Sequence, residues 1–239
     1  MKKTLAVILS IFLITSNSII VYADTVTNQI SDESSIVFDQ AAADYYSSIG
    51  SLPAKSPRAA CYELNGVYLC ETESISISGI TSYYQNGQSW SSTVLNGCTD
   101  TIGNSGCAIT AFAMIASKYG SKDNPGQVNT KLGTAACPFV YGTAASKYGL
   151  SYSNIIAPGT YSLPNVKTTI LGALRVGRPV MLVVKSTSTT HFIVVSGYKS
   201  FNNGSYYFYI KDPSNPGKAT VNAYMDAGYT VRLAYVYYK

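Results

Sequence analysis

Three side chains in this sequence have the types needed to cut an amide bond: Cys107, His191 and Asp212. Cys107 follows Gly106 at the start of the clearest helix signal, CAITAFAMIASKY. A cysteine there faces backbone N–H groups and the positive end of the helix dipole, which favour a thiolate and can also hold an oxyanion. Gly106 would let a substrate backbone approach closely. These are the requirements of a nucleophile, although a small buried hydrophobe or a half-cystine would satisfy the same pattern. His191 is the only histidine and opens the run HFIVVSGY. An imidazole can take the proton of a thiol near neutral pH, and a core or surface histidine is the alternative. Asp212, in YIKDP, is one of four acids after Ser74, with Asp100, Asp123 and Asp226. Its other reading is a cap on the Asp-Pro turn.

Whether these groups meet depends on the elements that carry them. Helices are expected over CAITAFAMIASKY up to Gly120, from Pro125 to Gly133, from Val140 to Tyr148, and from Val166 to Val176 between Pro164 and Gly177. Strands are expected at Val180–Lys185, His191–Tyr198, Tyr206–Lys211, Thr220–Tyr224 and Tyr229–Tyr238, rich in tyrosine and β-branched residues. Helices followed by an antiparallel sheet give an α+β fold. A hairpin centred near residue 202, with a loop from about Lys199 to Ser205, places His191 opposite Pro213 and beside Asp212. A two-residue turn at Asn203-Gly204 would pair Asp212 with Val195 instead, about 13 Å along the strand from His191. Only the first register lets Asp212 orient the imidazole.

The chain has 239 residues, 46% hydrophobic and only 12% charged, with 21 tyrosines, enough apolar content to bury a full core. One histidine excludes a site built from two imidazoles. No CxxC pair is present, which argues against a zinc ribbon or a thioredoxin-type centre. Neither a metal nor an organic cofactor is indicated. Lys2 and Lys3, the apolar run Leu5–Ile14 and the small-residue ending Val21-Tyr22-Ala23 predict a signal peptide over residues 1–23, with an uncleaved anchor as the alternative. No membrane span is expected after its removal, and the mature chain would be secreted or held at the cell surface.

In that setting the five cysteines should pair and leave one over. YELNGVYL reads as a strand-turn-strand that Cys61–Cys70 could staple. Cys98–Cys137 would then be the second bond and Cys107 the free thiol. Residues 24–73 carry eight acids and two bases, net −6, whereas 74–239 carry four acids and thirteen bases, net +9. The first segment is therefore read as an acidic N-terminal extension or propeptide, and residues 74–239 as the catalytic-type domain. The basic balance also suits an anionic cell wall, but the bases are scattered and no nucleic-acid motif is present. Nothing in the sequence sets an oligomeric state.

At these residues the chain resembles a known group. The blocks YYQNGQSW, TIGNSGCAITAFAMIASKYG, GRPVMLVV, HFIVVSGY and YIKDP, in that order from about Tyr83 to Pro213, are similar to bacterial papain-like cysteine peptidases related to the bacteriocin leader peptidases of double-glycine exporters. The resemblance implies a papain-like fold, Cys107 as nucleophile, His191 as base and Asp212 as the group that orients it. It also implies an oxyanion glutamine. Six residues before the cysteine this chain has Thr101, so Gln85 of the Tyr-x-Gln block takes that role, with Gln88 as the fallback. Trp90, in the same block, reads as a core aromatic. The implied activity is hydrolysis of peptide or amide bonds in a peptide or protein substrate. The alternatives are an inactive binding or immunity protein on the same fold, and a cell-wall amidase or endopeptidase. Leader removal during export is not expected without a transporter domain.

Overall fold

The computed structural model describes residues 61–64 and 67–239. The expected signal peptide, residues 24–60 and the Asn65-Gly66 turn lie outside the described residues. In chain order the elements are β1 (Cys61–Leu64), β2 (Val67–Ser76), α1 (Ile102–Ser105), α2 (Cys107–Lys118), α3 (Pro125–Leu132), α4 (Tyr141–Lys147), β3 (Ser151–Ile156), α5 (Leu163–Arg175), β4 (Val180–Lys185), β5 (Thr190–Phe201), β6 (Tyr206–Lys211), α6 (Val221–Asp226) and β7 (Thr230–Tyr238). The described strands form an antiparallel sheet in the order β1-β2-β5-β4-β7-β3, with β6 paired to β5. With the helices packed on it, the fold is α+β.

Helix α2 is the central helix because its sequence is apolar on every side. Ile109 to Ala116 are all buried, and the alanines let the helix lie close against β5. Phe112 fills the space beyond, edge-on to Tyr148 at 5.0 Å and to Tyr237 at 5.1 Å. Helix α3 starts on a capping box: Asn124 Oδ1 accepts from Gln127 N and Gln127 Oε1 accepts from Asn124 N, with Pro125 in the first turn. In α5, Val166, Ile170, Leu171 and Leu174 form the buried stripe that their spacing predicts.

Strand β2 joins the sheet through β5, from Glu71 opposite Phe201 to Ser76 opposite Gly197. The expected segment boundary between residues 73 and 74 thus falls inside a paired strand. Glu73 is held by both Arg175 Nε and Nη2 at 2.8 Å, tying the strand to α5.

Three elements differ from the sequence expectation. Thr220–Tyr224 is not a strand. Only Thr220 forms a bridge, to Tyr209, and its hydroxyl then accepts from Ala223 N at 3.1 Å and starts α6. The β5–β6 loop is Asn202–Ser205, shorter than expected, since β5 runs on to Phe201. Strand β3 was not expected: only Ile156 of its six residues is buried, and pairing with β7 holds it in place.

The cysteines pair as Cys61–Cys70, facing residues of the β1–β2 hairpin, and as Cys98–Cys137, leaving Cys107 free. The second bond closes a long loop whose ends already touch: Gly97, at φ +93°, lies directly against the Cys137 carbonyl, where no side chain fits. We expect replacement of Cys98 and Cys137 together by serine to cost about 3–4 kcal/mol, the loop-closure entropy released to the unfolded chain. Denaturant unfolding under non-reducing conditions checks this. An unchanged midpoint and slope would show that the loop is held without the bond.

Candidate active site

The loop before α2 is built around Asp100. Its carboxylate accepts from Thr101 N at 2.8 Å, from Asn104 Nδ2 at 3.0 Å and from Ser105 Oγ. These bonds stabilise the single helical turn α1, which ends at Gly106, and α2 begins at Cys107. The extra turn changes the reason for Gly106. A Cβ there would lie 2.5 Å from the Ile102 carbonyl oxygen, so packing within the chain by itself requires glycine. Cys107 is partly exposed.

His191 stands near the start of β5, its side chain only 10% exposed. Asp212 reaches it through a break in the β5–β6 ladder. Near the loop the register pairs Ser200 with Tyr206 and Tyr198 with Phe208, and after a bulge at Ser196 it pairs Val195 with Ile210 and Val194 with Lys211. Had the first register continued, Asp212 would face Val194, with its side chain on the opposite side of the sheet from His191. The extra residue moves Asp212, one step past the last pair, opposite Ile193 and onto the imidazole's side. Neither simple hairpin considered from sequence contains this bulge, and it is what brings the pair together.

The result is a line of bonded groups. His191 Nε2 donates to Asp212 Oδ1 at 2.7 Å. Cys107 lies close enough to the imidazole to favour its charged form, and Nδ1 is the ring nitrogen left to face it. Asp212 Oδ1 further accepts from Ser214 N at 2.9 Å, and Oδ2 accepts from Lys218 N at 2.9 Å and from Tyr224 Oη at 2.6 Å. Gly217 closes the cradle: a Cβ there would meet Asp212 Cβ at 2.6 Å.

Electrostatics follow from these contacts. Burial opposes a charged imidazole, but the hydrogen bonds and charges of Asp212 and Cys107 outweigh it and push His191 up to about 9. Burial raises the Asp212 carboxyl, yet bonds from His191, Tyr224 and Ser214 N more than offset it and hold the group below the usual carboxylate range. Burial, then the bond to Asp212, raise the Tyr224 phenol well above its ordinary value.

Gln85 is buried beside the same structure. Its backbone N–H donates to Pro213 O at 2.7 Å, its carbonyl accepts from Ser91 Oγ at 2.7 Å, and its Nε2 donates to Gly103 O at 3.0 Å. It therefore spans from the Asp212 loop to the turn that leads into Cys107. Its Oε1 is buried without a partner. Gln88 is partly exposed, and its backbone N–H donates to Ser91 Oγ. Trp90 packs against the core, edge-on to Tyr83, with Nε1 donating to Tyr84 O at 2.8 Å. Sequence reasoning missed Tyr224, Ser214 and Gly217. The turn residues DPSNPG signal a tight loop after Asp212, but nothing local marks a tyrosine twelve residues on as its partner. Among the described residues no three His, Cys, Asp or Glu side chains come together as a metal site would need.

A family model described as the Peptidase_C39 like family matches residues 77–239, more than half of the sequence. The chain belongs to the Peptidase_C39-like family. A search of curated proteins returned no match. The family is one of cysteine peptidases, and the matched span holds Gln85, Cys107, His191, Asp212 and Tyr224. The matched region starts at the residue after β2. Two disulfides suit an oxidising compartment, and among the described residues no helix is long and apolar enough to cross a membrane.

Proposed function

We propose that this chain is a secreted thiol peptidase with a papain-like site, hydrolysing peptide or amide bonds through Cys107, His191 and Asp212. The observation that carries the reading is His191, bonded on one side to Asp212 and facing on the other the one cysteine outside both disulfides. A nucleophile, a base and a group that orients the base thus stand in line.

In the proposed reaction the Cys107 thiolate attacks the scissile carbonyl carbon while Nδ1 of His191 holds the proton. The carbonyl oxygen becomes an oxyanion, for which we assign the backbone N–H of Cys107 and the Gln85 Nε2 amide, which would turn to it from its long contact with Asn104 O at 3.5 Å. His191 gives its proton to the leaving amine as the C–N bond breaks, and a thioester remains on Cys107. Water then attacks the thioester, His191 takes a proton from it, and the acid leaves with the thiolate restored. Asp212 stays ionised throughout and fixes the ring.

The test is to incubate the secreted chain with a mixture of peptides and follow new termini by mass spectrometry, before and after iodoacetamide without reductant. The reading expects cleavage that stops when one alkyl group is taken up. Alkylation of Cys107 with no loss of cleavage would remove it from the mechanism, and absence of both would refute the reading.

A further inference from the structure

Four donors converge on Asp212, and one of them is a side chain with no other hydrogen bond among the described residues. Tyr224 Oη donates to Asp212 Oδ2 at 2.6 Å, and its ring lies beside the His191 imidazole, centroids 5.7 Å apart at 35°. The residue is 5% exposed. The helix that brings it there exists because Thr220 caps α6, and Tyr229 braces the far side of the ring, edge-on at 5.1 Å. Ser214 N and Lys218 N belong to the same loop as Asp212 and move with it. Tyr224 comes from a separate element and fixes the carboxylate from outside that loop.

We propose that Tyr224 is a positioning residue that acts through Asp212: its hydroxyl occupies Oδ2, keeps Oδ1 aimed at Nε2 of His191, and holds the carboxylate ionised in a buried setting. The inference rests on the thiol peptidase reading above. Two physical effects combine. A carboxylate with both oxygens bonded cannot rotate, so the imidazole keeps Nδ1 toward Cys107. A donor to the charged form also favours that form, so the hydroxyl offsets part of the cost of burial. The ring covers one side of the His191–Asp212 bond and excludes water, which strengthens it.

The other ionisable groups around this bond are few. Cys107 faces the imidazole from α2, Lys211 precedes Asp212 and donates to Ser82 Oγ, and Lys218 Nζ lies 5.5 Å over the Tyr224 ring. Tyr229 meets Tyr224, through its ring and through its backbone N–H to the Tyr224 carbonyl at 3.0 Å, and not Asp212, among the contacts described.

The experiment needs no substrate. The rate of Cys107 alkylation by iodoacetamide is measured against pH for wild type, Tyr224→Phe and Tyr229→Phe, at a temperature where circular dichroism shows all three folded. The Phe side chain keeps the ring and removes only the hydroxyl. Losing a donor raises the proton affinity of Asp212, so the carboxylate protonates earlier on acidification and stops supporting the ion pair. The acid limb of the Tyr224→Phe profile should rise by about one pH unit, the worth of one hydrogen bond to a charged group. Tyr229→Phe should match wild type. An acid limb unmoved in Tyr224→Phe, whatever its plateau or melting temperature, overturns the positioning role. A wild type that shows no fast alkylation at any pH overturns the peptidase reading instead.

Discussion

Cys107→Ala is expected to lose at least about 10³-fold in peptide turnover while keeping the fold and both disulfides. The substitution removes one sulfur from a partly exposed position at the start of α2, so no large cavity opens and stability should change little. Cys107→Ser should be as inactive. It preserves the shape, but a serine hydroxyl does not form the ion pair with His191 that a thiol does. Intact mass under non-reducing conditions separates the outcomes: wild type takes up one iodoacetamide group and both variants take up none. Turnover retained in Cys107→Ala would mean that another group attacks the carbonyl, and the Cys107–His191–Asp212 line would then be structural.

Much of this arrangement was legible in the sequence, for identifiable reasons. An odd number of cysteines pointed to a free thiol, and the hairpin over residues 61–70 pointed to its staple. Val180–Lys185 and Tyr206–Lys211 were read with the right ends because their β-branched and aromatic residues are bounded by Gly, Pro and Asn. What escaped was decided by partners distant in sequence. SYSNII, at Ser151–Ile156, has no apolar alternation and is a strand only because β7 lies beside it. TVNAY has strand-like residues at both ends, yet one hydroxyl at Thr220 starts a helix there, and Tyr224 reaches Asp212 only from that helix. The bulge at Ser196 left a trace, since Gly197 follows it, and glycine inside a strand often marks such a break. That trace does not say which face Asp212 will take. One residue more or less in β5 decides whether the histidine has a partner.

The same geometry predicts a large and directional effect for Asp212→Asn. The side chain keeps its size, and its Oδ1 can still accept from His191 Nε2. The amide NH₂ in place of Oδ2, however, would face two donors, Lys218 N and Tyr224 Oη. The phenol can turn to accept, but the Lys218 N–H cannot, so the loop is left with an unpaired buried donor. The lost charge matters more. In wild type, burial alone would lower His191, and the Asp212 bond is the largest contribution that outweighs it and lifts the imidazole to about 9. A base whose protonated form is favoured keeps the ion pair below that value and loses it as pH rises through it, so wild-type turnover should fall on the alkaline side near pH 9. In Asp212→Asn only Cys107 is left to oppose burial, and the alkaline limb should move down by more than one pH unit. Turnover near pH 7 should fall about 10²-fold or more, with a measurable residue from Cys107 and the oxyanion donors. Asp212→Ala should be slower still, because four donors then lose their acceptor. A profile for Asp212→Asn with its alkaline limb still near pH 9 would show that the carboxylate charge does not set the protonation of His191. The pairing at 2.7 Å would then serve the loop and not the base.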